Sequence, residues 1–283
     1  MVPSQDGECT FTLKEGGRCP FLNDDNLCDL YIELGEDKLC ETCAEFPRFI
    51  NDYGNIREIG IAPSCKTAGE LMFSYKDELT FDTVEDNSLT LEPNDIDAYT
   101  YMHLRQARIV AFGIISDRDI SIFERLMLYL DYAKRIQKHL DAERDELIAG
   151  VAKRFCGADY REELLDKLKS RDEKLHGKRL IKGLRHFFDD FKGMEVINPD
   201  WNIHVARVRQ FLDGLADDSG LAAVMKTYHA GSEAFAHEYE QLAMYYVYRY
   251  MLDAVNDYDI LLKAKNAVIG ILAAVSYTHL RAH

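Results

Sequence analysis

Cysteine is the residue type whose placement in this sequence points most directly to chemistry. The chain contains seven cysteines, and six of them fall within the first 65 residues. Cys40 and Cys43 form a CxxC pair, a spacing that lets two thiolates bind the same metal ion or cluster. The other cysteines of this segment are Cys9, Cys19, Cys28 and Cys65. Four or more thiolates suit zinc and an iron–sulfur cluster equally well, so the residues alone leave that choice open.

The surrounding sequence favours metal binding over disulfide formation. The first six residues include neither a basic region nor an apolar one, so we expect no secretory signal and a cytoplasmic protein. Thiols stay reduced in that compartment, where clustered cysteines usually bind metals or take part in redox chemistry. No histidine precedes His103, which leaves no local Cys2His2 set. Buried structural thiols are the competing interpretation, since free cysteine is among the most buried residue types.

Composition excludes several classes of function. The 283 residues carry 34 Lys or Arg against 49 Asp or Glu, a formal net charge of −15. So acidic a chain lacks the basic surface that nucleic acid or an anionic membrane requires, and neither partner is expected. The longest apolar run, residues 267–275, is well short of the roughly 18 residues that span a bilayer. No P-loop, G-x-S-x-G or HExxH motif occurs, so nothing supports an NTPase, a serine hydrolase or a histidine metal site.

The elements that must position these residues divide the chain into four parts. Residues 1–75 consist of short segments between cysteines and predict a small, irregular Cys-rich module. Residues 76–97 form an acidic connector, which eight carboxylates predict to be solvated. Residues 98–274 have helical periodicity and predict an all-α domain, so the expected fold class is mainly α. Residues 275–283 break that pattern and resemble a translated sequencing-adapter tail, which we expect to be non-native.

Individual helices have their own signals. Ser121 and Glu124 match the capping box that opens a helix, and apolar residues follow at helical spacing. The same spacing predicts helices over residues 141–155, 160–169, 180–191, 201–215, 233–253 and 260–272. In the Cys-rich part, the pattern predicts one or two helical turns that end at Gly35, and Phe46-Pro47 predicts a break. No strand pattern of any length is visible after residue 98.

A series of short motifs resembles a known family. The motifs are Gly17-Arg-Cys-Pro-Phe-Leu22, Leu27-Cys28, Leu34-Gly35, Leu39-Cys-Glu-Thr-Cys43, Phe46-Pro-Arg48 and Ser64-Cys65. Their order is similar to that of the flagellin lysine N-methylase family, whose pattern runs CxFL, LC, LG, LCxTC, (Y/F)PR and SC. Weaker likeness covers most of residues 10–274, at Asp117-Arg118, Ser121 to Arg125, Asn198 to Trp201, Tyr239-Glu-Gln241 and Tyr246 to Tyr250.

The resemblance implies methyl transfer from S-adenosylmethionine to lysine side chains of flagellin. It also implies an iron–sulfur cluster of the 4Fe-4S type, with zinc as the alternative, on Cys19, Cys28, Cys40, Cys43 and Cys65. Relatives open with a further CxxxxCxxxCC cluster, so we expect an N-terminally truncated protein. They usually have proline where this chain has Lys66. The glycine-rich motif of a Rossmann-type methyltransferase is not visible.

Methyl transfer to lysine sets requirements that one segment could meet. The acceptor amine must lose its proton, because an ammonium has no lone pair, and aromatic faces attract the sulfonium of the donor. Tyr246 and Arg249 share one stripe of a predicted helix that is crowded with tyrosines. We therefore predict that both are catalytic residues in the wall of a lysine or donor pocket. Core packing, with hydroxyls that reach the surface, is the competing interpretation.

Two other segments carry charges with a structural or a functional interpretation. Arg48 could form an ion pair with a carboxylate or stabilise an anionic thiolate cluster, and we predict it as a cofactor-binding residue. Asp117-Arg118-Asp119 precedes the capped helix and is predicted to be a cap and ion-pair element.

Three functions from different classes fit these observations. The first is an S-adenosylmethionine-dependent lysine N-methyltransferase whose protein partner is flagellin. The second is a non-catalytic module that binds zinc or an iron–sulfur cluster and a partner protein through its helical domain. The third is a structural helical protein whose cysteines are inert. The sequence does not predict an oligomeric state.

Overall fold

The computed structural model describes residues 2–3, 9–88, 94–172, 178–193, 196, 200–215 and 235–281. Helices make up most of these residues, and every strand among them ends before residue 62, which confirms the mainly-α prediction. The chain divides into two units. The first unit comprises residues 1–49 and 59–62, and the second comprises residues 50–58 and 63–283.

The first unit is built from short elements, as its turn residues predict. Strands β1 (Val2–Pro3) and β2 (Cys9–Thr10) pair antiparallel, and the short helices are α1 (Asp29–Leu34) and α2 (Glu41–Glu45). Gly35 ends α1 with a φ of +84°, and its N–H donates to the Tyr31 carbonyl at 3.0 Å. Glycine adopts that backbone conformation without steric cost, so the predicted end of this helix is confirmed.

Two further strands form a sheet that the sequence pattern did not indicate. They are β3 (Arg48–Tyr53) and β4 (Ile56–Ile61), joined by a turn in which Gly54 has a φ of +63°. Arg57 donates two hydrogen bonds of 2.7 Å to the Asp52 carboxylate. Each strand has only six residues in a segment rich in turn signals, so its short alternation is easily missed.

The acidic connector follows helix α3 (Lys66–Ser74) and has neither helix nor strand over residues 75–88. Its acidic side chains there are exposed, as predicted. Phe81 nevertheless stacks on Phe112 and Tyr248, with ring centroids 4.6 and 5.0 Å apart. The acidic side chains of the connector are therefore solvated, while Phe81 holds it against the helices through aromatic contacts. Residues 89–93 of the predicted connector lie outside the described residues.

From residue 98 onwards the second unit folds into helices, as predicted. They are α4 (Ala98–Ile115), α5 (Ile122–Leu140), α6 (Ile148–Phe155), α7 (Ala158–Asp172), α8 (Lys178–Asp190), α9 (Asp200–Gly214), α10 (Ala236–Tyr250), α11 (Ala254–Asp257) and α12 (Ile260–Arg281). The predicted capping box opens α5, because the Ser121 N–H donates to the Glu124 carboxylate at 2.7 Å and the Glu124 N–H donates to the Ser121 hydroxyl.

The core of the second unit lies among α4, α5, α6, α10 and α12. Fully buried aliphatic side chains include Leu104, Leu128, Ile136, Ile148, Met251 and Ile260. Each contributes about 1.5–3 kcal/mol to stability through the apolar surface that it removes from water. Tyr132 is buried with them, and its hydroxyl donates to the Ala107 carbonyl at 3.0 Å. That bond removes the cost of burying the phenol.

The structure differs from the prediction just after α5. Apolar periodicity predicts one helix over residues 141–155, and that prediction is wrong at its start. Glu143 has a φ of +53°, which interrupts the helical backbone, and a 3₁₀ turn over Asp145–Leu147 precedes α6. The Thr100 hydroxyl donates to the Asp145 carboxylate at 2.5 Å. A hydrogen bond to α4 thus holds a turn that periodicity alone cannot reveal.

The remaining helices to describe are α8, α9 and α12. Helices α8 and α9 pack together through a smaller apolar cluster around Phe188, Val208 and Leu212. The backbone of α12 remains helical through Arg281, beyond the position where the apolar pattern breaks. The prediction that residues 275–283 are non-native stays a prediction. Among the described residues, no helix combines the length and apolarity that crossing a membrane requires.

Candidate functional site

A cavity of about 650 Å³ in the second unit is lined mainly by α10 and α12. Its aromatic wall consists of Phe73, Phe191, Trp201, Tyr239 and Tyr246. Of the described residues that line it, only Glu238 has a charged side chain. Cavities of this size, with apolar walls and few polar groups, are typical binding sites for small molecules. This cavity is therefore the candidate functional site.

The wall follows from helical spacing on two helices. On α10, Glu238, Leu242 and Tyr246 are four residues apart and so share one face. On α12, Asn266 and Gly270 are likewise four residues apart. A Cβ at Gly270 would overlap the hydroxyl and ring of Tyr246, so glycine is what lets the tyrosine lie against α12.

Tyr246, predicted to be catalytic, lines this cavity. Burial raises the pKa of its hydroxyl above the ordinary tyrosine value, so the phenol stays protonated at neutral pH. Its ring contacts that of Tyr250, with centroids 5.7 Å apart. The structure thus places Tyr246 at a pocket, and its role in catalysis stays a prediction.

Arg249, the second predicted catalytic residue, belongs to a neighbouring aromatic cluster. Its guanidinium lies 4.9 Å from the ring centroid of Tyr250 and 5.8 Å from that of Tyr245, and it donates a hydrogen bond to the Tyr245 hydroxyl. Such cation–π contacts fix the position of the arginine. Tyr246 borders the cavity, and the rings of Tyr245 and Tyr250 contact both Tyr246 and the Arg249 guanidinium.

A buried ion cluster, formed by Arg118, Arg125 and Glu240, anchors α10. The Glu240 carboxylate accepts from Arg125 at 2.6 Å and from Arg118 at 2.8 Å, and the side chains of Glu240 and Arg125 are each only 5% exposed. Asp117 pairs with Arg161 at 2.8 Å, so the predicted ion-pair role of residues 117–119 is confirmed for Asp117 and Arg118. The ion cluster joins three segments that the sequence resemblance had selected.

The first turns of α10 also hold the chain that leaves α3. Gln241 donates to the Tyr75 carbonyl at 3.1 Å, and Arg118 donates to the Lys76 carbonyl at 3.0 Å. His237 Nε2 lies 3.1 Å from the carbonyl oxygen of Phe73, an aromatic residue of the cavity wall. These bonds tie the end of α3 and the chain that follows it to the segments beside the cavity wall.

Sequence reasoning does not identify Trp201 and Gly270 as cavity residues. A glycine inside an apolar helix usually has a packing reason, and this was the available signal for Gly270. Trp201 is the only tryptophan of the chain and opens α9, yet nothing local indicates what it faces. The segment Asn198-Pro199 beside it lies outside the described residues.

The cysteines predicted as metal ligands fall in both units. Cys19, Cys28, Cys40 and Cys43 belong to the first unit, and Cys65 belongs to the second. Cys28, Cys40 and Cys65 are the N-cap residues of α1, α2 and α3. In none of these three caps does the cysteine side chain accept a capping hydrogen bond.

Within the first unit, the thiols interact with one another. The backbone N–H of Cys43 lowers the pKa of the Cys40 thiol, and a hydrogen bond with the Cys43 side chain lowers it further. The pKa of Cys43 is raised by that hydrogen bond, then by burial and by the negative charges of Cys40, Cys19 and Cys28. Thiolates are the soft ligands that zinc and iron–sulfur clusters bind, so the chemistry of this donor set fits a thiolate-bound metal centre.

The described side chains around this predicted centre are not arranged as a finished metal site. Over the described ranges, no three His, Cys, Asp or Glu side chains converge as a ready-made metal site. Arg48, predicted as a cofactor-binding residue, is exposed and donates to the Ala44 carbonyl at 3.4 Å. The cysteine ligands and the role of Arg48 stay predictions, and the side chain of Cys9 lies outside the described residues.

Comparison with known proteins links the second unit to a family. The family model of the FliB lysine N-methylase C-terminal domain matches residues 108–279, which is more than half of the chain. That range contains the ion cluster and the cavity walls contributed by α10 and α12. No curated protein matches the chain, and no solved structure does.

Proposed function

This chain belongs to the FliB lysine N-methylase family, and from that premise we propose that it methylates lysine side chains of flagellin with S-adenosylmethionine as donor. The family match over residues 108–279 is the observation that carries the proposal. The cavity supports it, because the match spans α10 and α12 and the cavity has the size and the aromatic wall that a small cationic ligand requires.

The proposed reaction is a direct transfer. The neutral lysine nitrogen attacks the methyl carbon, the S–CH3 bond breaks, and its electron pair remains on sulfur. The products are methyllysine and S-adenosylhomocysteine, and the proton of the acceptor amine is released to water. Apolar surroundings that remove water from the amine favour the neutral form over the ammonium, and so favour this step.

The two residues predicted from the sequence take different parts in the proposal. Tyr246 contacts the reactants from the cavity wall, with its hydroxyl kept protonated by burial. Arg249 is a positioning residue, since it holds Tyr250 against Tyr246 through cation–π contact. Its positive charge also lowers the pKa of Tyr246, and it would lower the pKa of a nearby lysine ammonium in the same way.

We also propose that the cysteines hold an iron–sulfur cluster of the 4Fe-4S type, with zinc as the alternative occupant. The ligands would be Cys19, Cys28, Cys40 and Cys43, with Cys65 as a fifth candidate. A bound cluster supplies covalent links between chain segments that share little buried apolar surface. The cytoplasm, where thiols stay reduced, is the proposed site of action.

Methyl transfer from labelled donor to flagellin tests the reaction. The chain, purified without oxygen, is incubated with labelled S-adenosylmethionine and flagellin, and we expect label that survives acid hydrolysis on lysine. Absence of labelled lysine from a metal-loaded preparation would refute the assignment.

Metal analysis tests the cluster separately. We expect iron and sulfide in wild-type protein, their loss in Cys40→Ser, and their retention in Cys156→Ser, which replaces an exposed cysteine outside the first unit. Zinc without sulfide would show that the cysteines hold the alternative centre, a zinc ion, and not an iron–sulfur cluster.

A further inference from the structure

We propose that the cavity lined by α10 and α12 is the binding site of the donor S-adenosylmethionine, and that Glu238 and the aromatic wall recognise its positive charge. The inference rests on the proposed function and adds the place where the donor binds. The sheets among the described residues have two strands each, so the crevice of a doubly wound sheet does not hold the donor in this part of the chain. A site between helices is the alternative that the structure offers.

Size is the first argument. A volume of about 650 Å³ lies within the range of roughly 300–1,000 Å³ that small-molecule sites occupy. A nucleoside with an amino-acid chain requires such a volume, whereas a single lysine side chain requires only a narrow channel.

The aromatic wall is the second argument. Phe191 and Trp201 meet edge to face, with ring centroids 5.3 Å apart, and form one corner of the wall. Tyr246 lines the same cavity from α10. Aromatic faces attract a sulfonium, and they also stack on a purine base. Both parts of the donor therefore match this surface.

The carboxylate is the third argument, and it favours the donor over the lysine. Glu238 brings a negative charge to the cavity. Beside a lysine it would stabilise the ammonium, raise the lysine pKa and oppose the reaction. A sulfonium has no proton to lose, so the same carboxylate stabilises the bound donor without this cost. A carboxylate also accepts hydrogen bonds from a ribose diol.

The mouth of the cavity then becomes the approach of the lysine. Asn266 and Ile269 line the cavity and are exposed, so they lie where the cavity meets solvent. A lysine that enters there meets the methyl group from outside, while Glu238 remains half-buried.

The only tryptophan of the chain makes the site observable. Because Trp201 lines the cavity, its fluorescence responds directly to a ligand bound there. Titration of the full chain with S-adenosylmethionine is expected to change this emission in a saturable way. Calorimetry on the same samples measures binding anywhere on the protein.

Paired variants test the walls. Glu238→Gln is expected to weaken donor binding by about tenfold or more, since it removes the partner of a charge-assisted contact. Tyr246→Leu is expected to weaken it by about three- to thirtyfold. Matched controls on surfaces away from the cavity, Glu162→Gln and Tyr99→Leu, should bind like wild type. Circular dichroism and unfolding curves identify any variant that fails to fold, in which case Glu238→Ala, which also removes the charge, replaces Glu238→Gln.

The outcomes separate this inference from the proposed function. The inference is supported if the donor causes a saturable change of Trp201 emission, both cavity variants bind the donor more weakly, and both controls bind it like wild type. A different result is donor use, shown by calorimetry or methyl transfer, without a change of Trp201 emission and with wild-type donor affinity in both cavity variants. The donor then binds elsewhere. The inference then fails and the proposed function stands. If neither donor binding nor methyl transfer occurs in metal-loaded protein, both fail.

Discussion

The two units of this chain are stabilised by different means. In the described part of the first unit, the buried apolar side chains are those of Phe49 and Ala62, and Phe49 packs on Gly60, where a Cβ would overlap its ring. Large apolar residues there stay exposed, including Leu27, Tyr31, Ile32, Leu34, Phe46, Ile59 and Ile61. The second unit instead has an extended core to which most of its helices contribute buried residues.

This difference indicates what each unit needs in order to fold. Burial of apolar surface is the main stabilising contribution to a domain, and the second unit has enough of it. A small unit with so little burial usually requires disulfides, a metal or a partner. The cysteines whose side chains are described in this unit are free thiols, so a metal centre is the stabilising contribution that fits the proposal best.

The largest expected effect is on the first unit alone. Removing the metal with a chelator, or replacing Cys40 by Ser, is expected to abolish amide protection in residues 11–49 and leave α4, α5 and α12 protected. Structural metal centres contribute on the order of 10 kcal/mol to small domains, which exceeds any other effect considered for this chain. Hydrogen exchange measured by mass spectrometry distinguishes the two units. Equal protection in the first unit with and without metal would contradict the view that a metal centre stabilises it. Cys156→Ser is the control.

Breaking the ion cluster is expected to give the largest single-residue effect in the second unit. Glu240→Gln leaves the charge of Arg125 buried without a counter-charge, at a cost of about 3–5 kcal/mol. Urea unfolding followed by circular dichroism measures the loss, with the exposed Glu162→Gln as control. A change below about 1 kcal/mol would show that the cluster is compensated elsewhere.

Core truncation sharpens the comparison between the units directly. Leu128→Ala removes a fully buried side chain from α5, and we expect a loss of about 2–5 kcal/mol. Ile32→Ala, in the first unit, removes a side chain that is 59% exposed, and we expect a change within about 0.5 kcal/mol. Urea midpoints for the two variants provide the test. A similar loss in both would mean that Ile32 is covered in solution.

Removing a helix cap is expected to have a smaller effect. Ser121→Ala deletes one half of the capping box of α5 and should reduce the free energy of unfolding by about 1 kcal/mol. Ser170→Ala, in the last turn of α7 and away from any N-cap, is the matched control and should be near neutral. Thermal unfolding of both variants measures the difference in stability. Equal losses in the two variants would show that the cap does not stabilise α5.

The smallest expected effect is a pH dependence at the edge of the second unit. Burial lowers the pKa of His204, which lies against Trp201 with ring centroids 5.6 Å apart. A histidine whose folded pKa is depressed contributes stability that is present above about pH 6.5, its unfolded pKa, and is lost as the pH falls through that value. The protection factors of the α9 amides, which correct for the intrinsic pH dependence of exchange, should fall between pH 7.5 and 5.5 in wild type and fall less in His204→Gln. The same pH dependence in both proteins would assign the effect to another group.

Local signals predicted the parts of the fold that depend on neighbours in sequence. Gly35 ends α1 and Ser121 opens α5 where these residues predict, since turn conformation and capping bonds involve only a few successive residues. Periodicity also predicted α8, α9 and α10 within a few residues. The start of α6 was wrong because Thr100, from another helix, bonds to the turn before it.

The candidate site could be predicted only in part. Tyr246 was identified by its aromatic surroundings along one helix, and those are local. Trp201 and Gly270 were missed, because each acquires its place through contact with a different helix. The same holds for Arg108, whose buried guanidinium donates hydrogen bonds to the Glu58 carboxylate of β4 and to the Tyr248 carbonyl.

The sequence by itself determined the mainly helical class, the caps and ends of several helices and the gathering of cysteines near the start, since each is a matter of residue type and short-range spacing. The tertiary structure alone decided that Glu240 meets two arginines and that Tyr246, Trp201 and Glu238 enclose one space. The reason is physical. Burial and desolvation are properties of surfaces that come together from distant parts of the chain, and no single segment contains them.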